Sequence, residues 1–287
     1  ILIAAAGGHH VLLQGPPGCG KTMLARSLAA LLPPLRGDAA REQRRILSCA
    51  GLPAPQTGDV ACPLRAPHHS TTSAGLIGGG RPLRPGEITL AHGGVLLLDE
   101  IHEFSGRVLE RLREPLSDGV VRLVRSDERL EFPARFQLVA TANPCPCGWY
   151  GSALDRCRCS PSVVSRYRSR LSGPLRDRLD LWVEMDREPA GSHWNAGVRD
   201  GLARRVLRAR ALRQAGGAAS LSEKGVTALD LDPEARELAA ALADRTASSL
   251  RALHAAVRVA RTISALDGRQ TVKAPAIAEA FSYRPVV

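Results

Sequence analysis

The sequence has no long hydrophobic run and few aromatic side chains. No apolar run approaches the roughly 18 residues that a membrane-spanning helix needs, so we expect neither a membrane protein nor a membrane partner. Phe, Trp and Tyr make up only 3% of the 287 residues, which leaves few rings for stacking on nucleic-acid bases. Hydrophobic residues contribute 44% and charged residues 23%. This composition is typical of a globular protein and excludes the disordered class.

Lysine is nearly absent, yet the chain is strongly basic. Three lysines stand beside 36 arginines, and the formal net charge is +11. A basic balance of this size suggests nucleic acid or another polyanion as a partner. A compositional bias of the genome would produce the same excess of arginine, so the charge alone leaves both explanations open.

The sequence does not begin with methionine and shows no signal-peptide pattern. It opens with Ile1, and no charged segment precedes an apolar stretch. We therefore expect a fragment whose N-terminal part is missing.

Seven cysteines without a secretion signal favour a reducing, cytoplasmic location. In that compartment a zinc site or free thiols are more common than disulfides.

Short apolar runs alternate with glycine-rich turns and amphipathic stretches in the first half of the chain. This pattern is typical of an α/β fold in which helices cover a parallel sheet. We predict strands at 11–14, 95–98, 137–141 and 181–184, and a helix at 22–32.

The composition divides the chain into an α/β core at 1–186, a linker at 187–197 and an alanine-rich helical domain at 198–287. Two insertions interrupt the core. The first, at about 65–92, holds too many glycines and prolines for one continuous helix. The second, at 120–133, alternates polar and apolar residues on both sides of Ser126-Asp127-Glu128, which predicts a hairpin. Helices of the last domain are predicted at 198–214, 233–242, 249–266 and 275–283.

The clearest motif is the glycine-rich loop between the first strand and the helix that follows it. Gly15-Pro-Pro-Gly-Cys-Gly-Lys21-Thr22 matches the phosphate-binding loop in its strand–loop–helix context. Backbone N–H groups would surround the phosphates of ATP, Lys21 would reach the β- and γ-phosphate oxygens, and Thr22 would ligate Mg²⁺. The predicted ATP-binding residues are Gly15, Pro16, Pro17, Gly18, Cys19, Gly20, Lys21, Thr22 and Met23.

Acidic and amide side chains follow two further apolar strands. Asp99 and Glu100 come directly after 95–98, and Asn143 follows 137–141. The carboxyl ends of parallel strands meet at one edge of a sheet, where ligands bind. We expect Asp99 to hold the hydration shell of Mg²⁺, Glu100 to polarise the attacking water, and Asn143 to orient that water or contact the γ-phosphate. An acidic helix cap and an Asn-Pro turn are the alternatives for these motifs taken singly.

Several separate segments resemble the magnesium-chelatase-like AAA+ ATPases of the ComM/YifB family. They are Arg65-Ala-Pro-His-His-Ser70, Gly78-Gly-Gly80, Pro85-Gly-Glu-Ile-Thr-Leu-Ala-His92, Leu112-Arg-Glu-Pro-Leu116, Asn143-Pro-Cys-Pro-Cys-Gly148, Leu171-Ser-Gly-Pro-Leu-Arg-Asp-Arg-Leu-Asp180 and Val259-Ala-Arg-Thr-Ile263. The resemblance implies an AAA+ P-loop core with a C-terminal helical lid domain, a homo-oligomeric hexameric ring, and a Lon-protease-like domain ahead of this fragment.

The same resemblance implies two functions. ComM-type members are DNA helicases that drive branch migration during natural transformation, acting on single-stranded or branched DNA. The alternative is a chelatase-type motor that remodels a protein partner. In such rings a neighbouring subunit supplies an arginine finger, here Arg178, and a second sensor arginine contacts phosphate, here Arg251. A guanidinium neutralises charge on the transferring phosphoryl group, although surface arginines are the alternative for both.

Four of the cysteines form two closely spaced C-x-C pairs, which suggests a metal site. Four thiolates suffice for tetrahedral zinc. The spacing departs from the commoner C-x₂-C, so zinc is preferred only slightly over four free thiols. The candidate zinc ligands are Cys145, Cys147, Cys157 and Cys159.

Arginines in the two insertions are the candidate DNA contacts, which by the resemblance point into the pore of the ring. Since aromatic residues are scarce, we expect contact with the DNA backbone and therefore salt-sensitive, sequence-independent binding. Acidic residues nearly balance the basic residues of the hairpin, so a solvated hairpin is the alternative. The candidate contacts are Arg81, Arg84, Arg122, Arg125 and Arg129.

The histidines are not expected to bind metal. His68, His69 and His102 have no acidic partners at ligand spacing, which favours structural or substrate-contacting roles. His9 and His10, just before the first strand, are expected on the surface near the adenine.

Overall fold

The computed structural model describes residues 1–125, 128–152, 156–186, 196–215, 231–246 and 249–284. Residues 187–195 of the predicted linker lie outside the described residues. So do Ser126 and Asp127 of the predicted hairpin turn, and the side chain of Arg125.

A five-stranded sheet contains β1 (Val11–Gln14), β2 (Leu64–Arg65), β5 (Val95–Leu98), β8 (Gln137–Ala142) and β9 (Leu181–Glu184). The strand order is β2-β5-β8-β1-β9, and β5 pairs in parallel with both β2 and β8. Every residue of β1, β5 and β8 is buried, as expected for parallel strands that are covered on both faces. The four strands that the sequence predicts are confirmed, and so is the α/β class.

The chain divides into two compact units. Unit 1 holds residues 1–11, 179–183 and the described part of 190–287, and unit 2 holds 12–178 and the described part of 184–189. The first residues and most of β9 thus group with the helical part of the chain.

Unit 2 surrounds the buried strands with short helices. Its helices are α2 (Lys21–Ala30), α3 (Gly37–Ala50), α4 (Ser73–Ile77), α5 (Glu87–Leu90), α6 (Gly106–Glu110), α7 (Arg113–Asp118), α8 (Pro161–Arg168) and α9 (Gly173–Arg176), with a 3₁₀ turn at Ile101–Glu103. Predicted helix 22–32 corresponds to α2.

Neither insertion forms a long helix. The first contains α4, α5 and a minimal pair of strands, β3 (Gly78–Gly79) and β4 (Arg84–Pro85). A Cβ at Gly78 would lie 2.4 Å from the Arg84 carbonyl oxygen, so only glycine fits there. The second is the predicted antiparallel hairpin, with β6 (Val120–Arg125) paired to β7 (Glu128–Pro133).

Unit 1 is helical. It contains α1 (Leu2–Gly7), α10 (Ala196–Ala215), α11 (Pro233–Arg245), α12 (Leu250–Leu266) and α13 (Ala274–Ser282), which matches the four predicted C-terminal helices. α12 packs against α1, α10 and α13 through small buried residues such as Ala256 and Ala260. None of the helices in the described ranges combines the length and apolar character that a membrane span requires.

The expectation that His9 lies on the surface is wrong. Its side chain is 2% exposed, and Nε2 lies 2.8 Å from Thr262 Oγ1 on α12. Nδ1 lies 3.7 Å from the Asp180 carboxylate. Burial lowers the pKa of His9. The segment before β1 contributes to the core of unit 1 because α1 and α12 pack together, a tertiary contact that no local pattern encodes.

Candidate nucleotide site and thiol cluster

The loop between β1 and α2 is held in a conformation that requires glycine. Gly18 and Gly20 have φ angles of 78° and 82°, in the left-handed region that disfavours side chains. A Cβ at Gly15 would lie 2.3 Å from the Met185 carbonyl oxygen. Gly15 N also donates to Ala142 O of β8 at 3.2 Å, which ties the loop to the carboxyl edge of the sheet.

Lys21 is buried in this loop without an anionic partner. Its side chain is 8% exposed, and Nζ donates to Gly15 O at 2.8 Å, Pro16 O at 2.9 Å and Asn143 Oδ1 at 3.1 Å. No carboxylate among the described residues pairs with it. A buried ammonium surrounded by neutral oxygens is stabilised further by an anion. The loop therefore fits a phosphate group.

Asp99 lies at the centre of a hydroxyl network. Its Oδ1 accepts hydrogen bonds from Thr22 Oγ1 at 2.9 Å and from Thr141 Oγ1 at 2.5 Å. Oxygens that share one octahedral Mg²⁺ ion lie about 2.9 Å apart, given metal–oxygen distances near 2.1 Å. Thr22 and Asp99 thus have the donor chemistry and the spacing that fit Mg²⁺.

Glu100 has a strained backbone and an exposed side chain. Its φ is 53°, the one positive φ of a non-glycine residue in the described chain. The Glu100 N–H donates to Thr141 Oγ1 at 2.9 Å. Such strain costs on the order of 1–3 kcal/mol and concentrates at functional sites. Thr141 therefore positions both acidic residues at once.

The structure brings four predicted residues together and adds one that the motifs do not contain. Lys21, Thr22, Asp99 and Asn143 are linked by the hydrogen bonds above. Sequence reasoning missed Thr141, although a hydroxyl at the end of an otherwise apolar strand was a usable signal. Met23, at 62% exposed, presents an apolar surface at the start of α2.

Four thiols converge in unit 2, as the paired cysteines predict. All four sulfur atoms of Cys145, Cys147, Cys157 and Cys159 lie within 4.8 Å of one another. Cys145 is fully buried, and its Sγ lies 3.3 Å from that of Cys147 and 3.8 Å from that of Cys157. Among the described residues, no other group of three or more His, Cys, Asp or Glu side chains could hold a metal ion. The donor set fits a soft cation such as zinc.

Backbone amides favour the thiolate of Cys147. Hydrogen bonds from the amides of Trp149 and Arg158 lower the pKa of this thiol to about 6. The turn that bears it is held from outside by Arg168, whose Nε donates to Pro144 O at 3.1 Å and whose guanidinium stacks over Tyr150 at 5.0 Å.

Of the two arginines that the family resemblance implies, Arg178 is half-buried and Arg251 is exposed. Arg178 lies in unit 2, where Nε and Nη2 donate to Ser117 Oγ at 2.9 and 2.7 Å and Nη1 donates to Pro174 O at 2.6 Å. Arg251 lies in the first turn of α12, in unit 1.

The insertion arginines differ in their surroundings. Arg122 contacts three carboxylates, Glu114 at 2.7 Å and Asp118 and Glu131 at 3.0 Å. Hydrogen bonds to Asp118 and Glu114 raise the pKa of Arg122. Arg129 is exposed and has no carboxylate partner among the side chains that the structure describes. Arg81 and Arg84 are exposed as well.

His102 is buried beside the acidic pair. It is 1% exposed, and neither ring nitrogen has a hydrogen-bond partner among the described residues. Its ring lies 4.7 Å from that of Tyr167. Burial, together with the charges of Arg170, Arg168 and Arg176, lowers its pKa to about 4, so it is neutral at physiological pH.

Comparison with known proteins gives matches along the whole chain. The family model for magnesium chelatase subunit ChlI matches residues 1–193, and that for the ChlI C-terminal region matches 199–284.

The competence protein ComM of Haemophilus influenzae is 41% identical over 296 residues, covering 100% of this chain and 58% of that protein. An uncharacterized protein of Mycobacterium tuberculosis is 42% identical over 297 residues, covering 98% and 58%. The magnesium-chelatase 38 kDa subunit of Acidiphilium rubrum is 30% identical over 155 residues, covering 47% and 45%. The chain thus spans 58% of the length of the first two relatives.

Proposed function

Because the chain belongs to the magnesium chelatase ChlI family and is similar along its length to ComM and YifB proteins, we propose that it is an ATP-hydrolysing AAA+ motor that acts on DNA. One observation carries the ATPase part. Lys21 is buried among neutral oxygens, in the same hydrogen-bonded site as Thr22, Asp99 and Asn143.

Each of these residues has a distinct task. Lys21 binds the β- and γ-phosphates, and Thr22 and Asp99 hold the hydrated Mg²⁺, which when bound neutralises phosphate charge. Glu100 has an exposed carboxylate. This carboxylate accepts a proton from the attacking water. Asn143 now accepts a hydrogen bond from Lys21, and its amide is available to the water or the γ-phosphate once Lys21 turns to the nucleotide.

The DNA part of the proposal has separate support. A relative that matches the whole chain is named a competence protein, and the net charge of +11 favours a polyanionic partner. We propose a homo-hexameric ring that translocates on single-stranded or branched DNA as a branch-migration helicase. Arg178 completes the ATP site of the neighbouring subunit, and Arg251 acts as the second phosphate sensor.

A chelatase-type motor that remodels a protein partner is the second candidate. The match to a magnesium-chelatase subunit of Acidiphilium rubrum favours it. That match covers 47% of this chain, whereas the match to ComM covers 100%, so the DNA motor is preferred.

The thiol cluster is proposed as a structural zinc site. Four sulfur atoms within 4.8 Å of one another are close to the sulfur–sulfur separation of about 3.8 Å that tetrahedral zinc requires when its zinc–sulfur distances are about 2.3 Å. A reducing cytoplasm, expected for this chain, would keep these cysteines available to metal.

Steady-state ATP hydrolysis tests the proposed function, measured with and without single-stranded and forked DNA at two salt concentrations. We expect hydrolysis that DNA stimulates, with a stimulation that falls as salt rises. Turnover that no DNA changes would contradict the DNA part and favour the protein client.

Two substitutions test the ATPase assignment within the same assay. Lys21→Ala should lose nucleotide binding, and Glu100→Gln should keep binding while turnover falls by about 10²–10⁴-fold. Glu103→Gln is the matched control, since this nearby exposed carboxylate has no proposed part in the chemistry. Normal turnover by Glu100→Gln would refute the role of Glu100 as base.

A further inference from the structure

The thiol cluster and the nucleotide site share one short segment of chain. Asn143, whose Oδ1 accepts the 3.1 Å hydrogen bond from Lys21 Nζ, is followed by Pro144 and then by buried Cys145. Cys145 is therefore separated by only two peptide bonds from the residue whose side-chain amide contacts Lys21.

The same segment also rests directly on the phosphate-binding loop. Gly148 N donates to Cys145 O at 2.9 Å, and Tyr150 N donates to Cys145 Sγ at 3.3 Å, which wraps a tight turn around the sulfur. A Cβ at Gly148 would lie 2.7 Å from Cγ and Cδ of Pro17. The turn is thus packed against Pro17 with no space for even a methyl group.

The two halves of the cluster come from separate stretches of chain. Cys145 and Cys147 lie on the turn beside the loop, and Cys157 and Cys159 precede α8. Cys157 Sγ lies 3.8 Å from Cys145 Sγ and 3.7 Å from Cys147 Sγ. Free thiols at these distances make only weak hydrogen bonds, whereas a shared zinc ion would join the two stretches through four strong bonds.

We propose that metal bound by the four cysteines fixes the segment 143–148 and thereby controls the affinity of the phosphate-binding loop for nucleotide. The inference rests on the proposed ATP and zinc sites and adds a coupling between them. Two contacts carry that coupling, Asn143 to Lys21 and Gly148 to Pro17. Because coupling between two binding sites is reciprocal, bound nucleotide must also retain the metal.

The first test measures nucleotide affinity with and without metal. The full chain is titrated with a fluorescent ATP analogue after zinc loading, after stripping with a chelator under reducing conditions, and after zinc is added back. We expect one zinc per chain and affinity about tenfold weaker in the stripped form, a typical size for coupled sites. Restoration by zinc excludes irreversible unfolding as the cause.

The second test measures the coupling in the opposite direction. Zinc release to a chromogenic chelator is followed with and without a saturating non-hydrolysable ATP analogue. Metal affinity should rise with nucleotide by the same factor as nucleotide affinity rises with metal. This measurement does not depend on hydrolysis.

Variants locate the coupling in the segment. Cys157→Ser combined with Cys159→Ser should lose zinc and weaken nucleotide binding. Cys49→Ser combined with Cys62→Ser removes equally many thiols outside the cluster and should change neither. Gly148→Ala should keep zinc while nucleotide affinity falls, since its methyl group meets Pro17.

The outcomes separate this inference from the function on which it rests. Equal nucleotide affinity of zinc-loaded and stripped protein would overturn the coupling alone. Absence of zinc binding would overturn the metal site and the coupling while leaving the ATPase intact. Absence of nucleotide binding by every form would overturn the proposed function, and with it this inference.

Discussion

At the scale of single residues, Thr141 shows how one hydroxyl positions two acidic side chains. It donates to Asp99 at 2.5 Å and accepts from the Glu100 amide at 2.9 Å. One hydroxyl thus fixes the Asp99 carboxylate and the backbone of Glu100 together, so Thr141 is a positioning residue.

We predict that Thr141→Val lowers kcat for ATP hydrolysis by about tenfold, because residues that orient a metal site typically contribute 10–100-fold. The variant keeps the shape and removes the hydroxyl, and nucleotide affinity should change less than kcat. Thr141→Ser is the matched control and should retain most of the activity. Equal kinetics for the Val and Ser variants would refute the positioning role.

The buried side chain of His102 makes the stability of the folded chain depend on pH. Burial lowers the pKa of His102 from its ordinary value of 6.5 to about 4 in the folded chain. Between these values the unfolded chain binds a proton that the folded chain does not, so stability falls as pH falls from 6.5 towards 4. The difference corresponds to a loss of at most about 3 kcal/mol.

His102→Phe should therefore remove this part of the pH dependence. We expect urea unfolding between pH 7 and pH 4 to show a smaller loss of stability in the variant than in the native chain. His68→Phe, at an exposed position, is the control and should behave like the native chain. An unchanged pH dependence in His102→Phe would contradict the lowered pKa.

At the scale of elements, the hairpin β6–β7 presents two arginines in different electrostatic settings. Arg122 is bound by Glu114, Asp118 and Glu131, whereas Arg129 has no described carboxylate partner. A guanidinium that is already paired with three carboxylates gains less free energy from binding a phosphate.

We predict that Arg129→Ala weakens DNA binding and lowers the slope of log K against log salt by about one, the contribution of a single phosphate contact. Arg122→Ala should leave that slope unchanged. Titration of single-stranded DNA at several salt concentrations measures both variants. If both variants lowered the slope equally, Arg122 would contact DNA in spite of its three carboxylate partners, and the prediction would be wrong.

Strands and helices were predictable where a short stretch of sequence carries the pattern that forms them. β1, β5 and β8 are short apolar runs that end in polar residues, and the structure has them at the predicted positions. The grouping of elements was not predictable in this way. α1 belongs with the C-terminal helices because it packs on α12, which is more than 240 residues away.

At the scale of the whole molecule, the proposed ring makes each ATP site depend on two subunits. Arg178 is half-buried in unit 2, where Ser117 and Pro174 hold its guanidinium. An arginine supplied by a neighbour typically raises phosphoryl-transfer rates by 10³–10⁵-fold.

We predict that Arg178→Ala and Lys21→Ala subunits are each inactive alone and recover activity when mixed. In a randomly mixed ring about a quarter of the interfaces pair an intact Lys21 with an intact Arg178. ATP hydrolysis of the mixture measures the rescue. The control mixes Lys21→Ala with the double variant and should stay inactive, while absence of rescue in the first mixture would argue against a shared site.

The sequence by itself determined the parts of the site that lie within short segments. The phosphate-binding loop, Asp99 with Glu100, Asn143 and the paired cysteines are each readable because a glycine, an apolar strand and a polar residue occur at fixed local spacing. The ChlI family assignment rests on such segments too. These features describe which chemistry is present.

Only the tertiary structure decided how those parts meet. The burial of His9, the double hydrogen bonding of Thr141 and the contact of Gly148 with Pro17 all join residues that are distant in sequence. Local propensity and periodicity act over a few residues, whereas packing selects among distant partners by shape and polarity. For that reason the sequence predicted two sites, and the structure indicated that they are adjacent.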